Sequence, residues 1–304
     1  LHALLVEGKT QREAAELGQV SERTVRNILR AYSQSSGLEA LRSRSKLGRR
    51  KRDRRVRARS TDRARYPRPM TMPRSSPSAQ GVDARGLLAL LDALETPGHG
   101  THSLMVARHG QVIAQGWWAP YARERVHLGY SLSKSFTSTT LGVLVGQGLI
   151  DLDAPVLSYL VDLESVAPVW RRVTVRHCIT MTAGHTAEAW NWNGDDALPA
   201  VAEGADPVLA AILDTRVPDG EPGEVWAYNQ VATYLVAQAI AAATGEPLTA
   251  HVRRLVLDRL TGDPARAQRT PFGRDLGFSG LHVTTPTILA LAQTWLDGGR
   301  WQGE

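Results

Sequence analysis

The chain contains a single cysteine, Cys178, so it cannot close an intrachain disulfide. Folding does not require an oxidising compartment, and a reduced, cytoplasmic setting is the default reading. It has no run of 18 or more apolar residues, so no membrane-spanning helix is expected and no membrane partner. Leu1–Val6 is too short an apolar stretch for a secretory signal. The first residue is Leu, which leaves room for a preceding piece. Histidines 99, 102, 109, 127, 177, 185, 251 and 282 show no zinc-like spacing, so neither a metal nor an organic cofactor is implied. Lysine is scarce too. Beyond residue 80, Lys134 is the only lysine, and arginine supplies every other cation there.

Positive charge is abundant in one part only. Residues 1–80 hold 20 Lys+Arg against 7 Asp+Glu, whereas residues 81–304 hold 16 against 23. A polyanion-binding front joined to a mildly acidic body follows. Arginine dominates Arg42 to Arg68, after which Pro67, Pro69, Pro73, Pro77 and several serines lead to Gly81. Such composition buries too little apolar surface to fold alone, so residues 42–80 are expected to be a disordered linker.

Three short helices are expected ahead of it, the first over Leu1–Glu7 with Leu1, Leu4 and Leu5 at helical spacing. Thr10-Gln11-Arg12-Glu13 is a capping-box pattern opening a helix through Leu17, and Gly18-Gln19-Val20 makes a turn. Ser21 then caps a helix whose apolar face is Val25, Ile28 and Leu29. This is a small all-α helix-turn-helix over residues 1–41. With Leu17-Gly18, Val20-Ser21, Arg23-Thr24-Val25 and Gly37–Leu41, it resembles the N-terminal helix-turn-helix of insertion-sequence transposases and related regulators. The resemblance implies that Arg23, Arg26 and Asn27 face DNA bases, and residues 1–68 are the DNA-binding part, with the basic run on phosphates. The competing reading is a small helical bundle with a solvated basic tail.

Residues 81–304 form the second domain. Leu87, Leu88, Leu91 and Leu94 give an amphipathic helix over Val82–Glu95. Ser103–Ala107 and Gln111–Trp117 flank Arg108-His109-Gly110, a hairpin pattern. A helix follows, and Leu141, Val143, Leu144 and Val145 make it apolar almost all round, so it is expected to be buried. Ser131 and Lys134 stand at its start as an S-x-x-K tetrad. Three residues is one helical turn, so the amine projects beside the hydroxyl. Burial lowers a lysine pKa and lets the neutral amine take the Ser proton. The spacing alone carries little weight, since Ser43-Arg44-Ser45-Lys46 repeats it in the basic tail. Context separates the two: an apolar helix follows Ser131, and Lys stands where the surrounding composition uses Arg, which cannot lose its proton.

Tyr130–Thr139, Gln147–Val156, Val173–His185, Glu221–Gln230 and Gly280–Pro286 occur in an order that resembles the β-lactamase-related serine hydrolases. That superfamily spans class C β-lactamases, D-alanyl-D-alanine carboxypeptidases, family VIII esterases and 6-aminohexanoate-oligomer hydrolases. The resemblance implies an α/β (α+β) domain of the β-lactamase/penicillin-binding-protein type. It implies Ser131 as nucleophile, Lys134 as base and Tyr228 as a proton shuttle, acting through an acyl-enzyme on a small-molecule or peptide-like ester or amide. The family's Tyr-x-Asn motif reads Tyr228-Asn229-Gln230 here, so either Gln230 or Asn229 supplies the substrate-binding amide. By the same resemblance the third motif falls after residue 304, so the domain is read as incomplete at its C-terminus, with an exposed hairpin edge. Two rival readings stand beside the enzyme. One is a DNA-binding protein with an inert hydrolase-like domain. The other is a non-functional fusion of a transposase remnant and a truncated hydrolase.

Overall fold

The computed structural model describes residues 72–96, 98–187 and 198–303. The expected helix-turn-helix with Arg23, Arg26 and Asn27 and the second tetrad at Ser43 and Lys46 lie outside the described residues. In chain order the elements are α1 (Ala84–Leu94), β1 (Ser103–Arg108), β2 (Gln111–Trp117), β3 (His127–Leu128), α2 (Ser133–Gly146), α3 (Val175–Ile179), α4 (Pro207–Thr215) and α5 (Gln230–Thr244). A helical run follows, made of α6 (Leu248–His251), a π-helical segment (Val252–Leu257) and α7 (Asp258–Leu260). The last elements are β4 (Arg266–Ala267), β5 (Leu281–Val283) and α8 (Thr285–Leu296). They divide into two compact units, one of the described residues up to Arg125 and from Thr284 on, the other Val126–Val283.

In the first unit the β1–β2 hairpin closes through His109 (φ 50°) and Gly110 (φ 72°), since Arg108 pairs with Gln111. Positive φ at both central residues is what a two-residue turn of matching twist requires. Residues 72–80 depart from the linker expectation. Val112 donates its N–H to Pro73 O (2.8 Å) and Ser75 N–H donates to Val112 O (3.1 Å), a parallel bridge along β2. Proline lacks a donor but keeps its carbonyl, so a Pro-rich segment can still pair along a strand edge. Thr284 caps α8 by accepting from Thr287 N, while the Thr285 hydroxyl donates to Ser103 Oγ on β1.

The second unit is built round α5, which is buried continuously from Gln230 to Ile240. Its alanines let neighbours come close, and α2, α3 and α6 pack on it. Gly277 shows how close: a Cβ there would sit 2.7 Å from Ala237 Cβ. Gly245 (φ 73°) ends α5 in the left-handed conformation. α2 buries Phe136, Thr140, Leu141 and Leu144 on one face, each large apolar side chain contributing about 1.5–3 kcal/mol. The expectation that α2 is buried all round is corrected, because Val143 is 36% exposed. The helix has packing partners on one side, α5 and the π-helical segment, and its apolar composition alone does not supply others. Arg253 and Arg254 on the π-helical segment form ion pairs with Asp258 (2.6 Å) and Glu246 (2.8 Å).

Candidate active site

Short β3 pairs antiparallel with β5, His127 opposite Val283 and Leu128 opposite His282. The chain then turns sharply. Gly129 N–H donates to Leu281 O at 2.8 Å, and a Cβ at 129 would stand 3.0 Å from that oxygen. Tyr130 takes φ 43°, a left-handed backbone that a non-glycine residue adopts only under constraint. The constraint is visible. Ser133 is buried, its hydroxyl donates to Tyr130 O (2.7 Å) and accepts from Leu281 N–H (3.1 Å). Ser131 therefore lies in the single 3₁₀ turn Tyr130–Leu132 just ahead of α2, exposed rather than sequestered. The positive end of the helix dipole lies behind it.

Lys134, one turn on, is half-buried and held on three sides. Its Nζ stands 3.4 Å from Ser131 Oγ, 2.6 Å from Gln230 Oε1 and 2.9 Å from Phe278 O. The Tyr228 ring centroid is 4.8 Å away. Gln230 Oε1 and Phe278 O can only accept. A neutral amine has two hydrogens and one lone pair, so it can satisfy both acceptors and still turn its lone pair toward Ser131. Burial holds the Lys134 amine below the usual lysine range, and the hydrogen-bonding phenol of Tyr228 pulls more weakly the other way. The 3.4 Å separation is long for a hydrogen bond.

Tyr228, Asn229 and Gln230 mark the entry to α5 and divide their duties. Gln230, 6% exposed, reaches Lys134. Asn229, 1% exposed, caps α5 by accepting from Ala232 N at 2.9 Å, and its other amide atom lies 2.8 Å from His185 Nδ1. The structure thus brings Ser131, Lys134, Tyr228 and Gln230 together and commits the Asn229 amide to the helix cap and an imidazole. Sequence reasoning missed Ser133, the Phe278 carbonyl and His185. Ser133 stands inside the S-x-x-K tetrad and was available to see, whereas a backbone carbonyl leaves no mark in a sequence. Cys178 is buried and unpaired, with its thiol pushed up by burial, so it is no rival nucleophile. No group of three or more His, Cys, Asp or Glu side chains able to hold a metal occurs among the described residues. No helix among them is long and apolar enough to cross a membrane.

A hydroxyl, an amine and a phenol are thus gathered where a helix begins, in an α/β setting. The Beta-lactamase family model matches residues 89–297, and the chain belongs to that family. A Homeodomain-like domain model matches residues 2–42. Among solved structures, a class C β-lactamase aligns with TM-score 0.55 and 18% identity over 70% of this chain and 64% of that one. The octameric penicillin-binding protein homologue from Pyrococcus abyssi aligns with TM-score 0.57 and 17% identity, covering 72% of this chain and 57% of its own. A Bacillus anthracis protein assigned as a 6-aminohexanoate-dimer hydrolase gives TM-score 0.52 and 20% identity, covering 72% and 58%. The chain thus spans less than two thirds of the length of each of these three, and the likeness carries the fold.

Proposed function

We propose that residues 81–304 act as a serine hydrolase on an ester or amide carbonyl through an acyl-enzyme. The observation that carries this is the position of Lys134 Nζ, 3.4 Å from Ser131 Oγ with its other two directions taken by acceptors. Ser131 Oγ attacks the carbonyl carbon as its proton passes to the Lys134 amine. The tetrahedral adduct then collapses, and the proton reaches the leaving oxygen or nitrogen through Tyr228 as that bond breaks. Water repeats the sequence in reverse order. It adds to the acyl carbon as one of its protons passes to the Lys134 amine, and that proton reaches Ser131 Oγ as the ester bond breaks and the acid leaves. Gln230 keeps the amine aimed and supports the substrate from the same side. The substrate is a small-molecule or peptide-like ester or amide.

A fluorophosphonate probe tests the nucleophile directly. Intact-mass analysis of the full chain is expected to show one phosphonyl adduct, absent from Ser131→Ala. A chain that takes up no probe, or a variant that labels as well as the parent, overturns the assignment.

A second reading concerns the front of the chain and is favoured by the Homeodomain-like match over residues 2–42. With 20 Lys+Arg against 7 Asp+Glu in residues 1–80, it is a DNA-binding part in which Arg23, Arg26 and Asn27 meet bases.

A further inference from the structure

Asn229 stands between the two residues that flank Lys134, and what holds Asn229 is a histidine 44 positions earlier in the chain. His185 is 7% exposed and lies in the loop after α3. That loop is stitched to residues 216–223. Gly220 N–H donates to Gly184 O (2.7 Å), Thr186 donates from N–H and hydroxyl to Asp219, and Gly223 N–H donates to Thr182 O. Gly184 (φ 91°) allows the close approach, since a Cβ there would stand 2.7 Å from Gly220 O. The strand-like approach to Tyr228 is fixed as well, with Ala227 N–H donating to Met181 O at 2.9 Å.

The hydrogen-bond pattern assigns the imidazole. Nε2 lies 2.8 Å from the Arg216 carbonyl, which only accepts, so Nε2 carries the proton. Nδ1 is then the acceptor, and the facing Asn229 atom is its amide nitrogen because Oδ1 receives Ala232 N–H. The contact works only while the ring is neutral. A second ring proton would set N–H against NH₂.

We propose that His185, acting through the Asn229 side chain, is the positioning residue that sets Tyr228 and Gln230 against Lys134, and that protonation of His185 releases them. The proposal rests on the acyl-enzyme reading for its kinetic consequence. Trp170, edge-on to the ring at 5.9 Å, and Asn229 bring no charge to it; Asp219 is the carboxylate that acts on it. Burial holds the imidazole below the ordinary histidine range, against weaker opposing pulls from the Arg216 carbonyl and Asp219. The sign follows. The unfolded chain takes up this proton first, so the neutral ring's support is complete above the ordinary histidine midpoint and declines as pH falls below it.

The test is the rate of fluorophosphonate labelling of the full chain against pH, with histidine- and tyrosine-resolved NMR on the same samples. The parent rate is expected to show an acid limb whose midpoint lies below the ordinary histidine value of about 6.5, with the Tyr228 resonances moving at the same midpoint as His185. His185→Leu is expected to label about ten- to a hundredfold more slowly at neutral pH, as a misplaced catalytic group would. His185→Gln, whose amide can donate to Arg216 and accept from Asn229, is expected to restore the rate and remove the acid limb. Asn229→Asp keeps the helix cap but favours the protonated ring, so the His185 midpoint read by NMR is expected to rise. Wild-type rates and an unchanged limb in all three variants overturn the tether. Absence of labelling at any pH, with the coupled NMR titration intact, instead removes the acyl-enzyme reading and leaves the tether standing.

Discussion

Lys134 is surrounded by groups that ask different things of it. Gln230 Oε1 and Phe278 O favour any form that donates, the Tyr228 phenol favours the ammonium, and burial favours the amine. Burial is the largest of these, so the amine loses its proton more readily than a free lysine does. Labelling of Ser131 should therefore rise with pH and level off below the free-lysine midpoint of about 10.4. Lys134→Arg keeps the charge and cannot give up its proton. It is expected to lower the labelling rate by on the order of 10²–10⁴ at every pH and to abolish the rising limb, read by stopped-time mass spectrometry. A variant retaining the limb would place the base elsewhere.

At the scale of elements, the Ser131 turn is tied both to β5 and to Ser133, the first residue of α2. Gly129 N–H and Ser133 Oγ both end on the Leu281 peptide, and Thr137 Oγ1 reaches Gly277 O at 2.7 Å. Ser133→Ala leaves Leu281 N–H buried without that acceptor, at a cost of about 1–3 kcal/mol. The expected outcome is a melting temperature lower by a few degrees, together with slower labelling, because the strained Tyr130 backbone loses its clamp. A lowered melting temperature at parental labelling rate would separate the clamp from catalysis. These contacts also mark what a sequence can tell. The α5 boundaries, the hairpin and the Ser131–Lys134 spacing are local patterns, legible from caps, glycines and periodicity. Ser133 to Leu281, Lys134 to Phe278 and Asn229 to His185 join residues 44 to 148 positions apart, and side-chain periodicity carries no information about such pairs. The one-sided burial of α2 was hidden for the same reason. Val143 is as apolar as its buried neighbours and differs in leaving about a third of its surface, 36%, open to solvent.

At the scale of the whole molecule, charge divides the chain more sharply than any motif. The first 80 residues carry a balance of +13 and the remaining 224 a balance of −7. A basic segment of that density that binds DNA does so mainly through phosphates, displacing counterions. Its affinity then falls with a log–log salt slope of about −0.9 for each phosphate neutralised. Titrating the full chain against duplex DNA at several salt concentrations is expected to give a steep slope. Arg23→Ala with Arg26→Ala should erase preference among sequences more than overall affinity, if those side chains meet bases rather than phosphates. Ser131→Ala should leave the slope unchanged. The same titration followed by labelling decides among the joint readings. Salt-dependent DNA binding without any labelling fits a DNA-binding protein with an inert hydrolase-like domain, whereas a labelling rate that changes when DNA is saturating means that two active parts communicate. A rate indifferent to DNA means the parts are only tethered, as in a fusion without joint function. A flat salt response would remove the DNA-binding reading and leave the basic segment as a solvated tail.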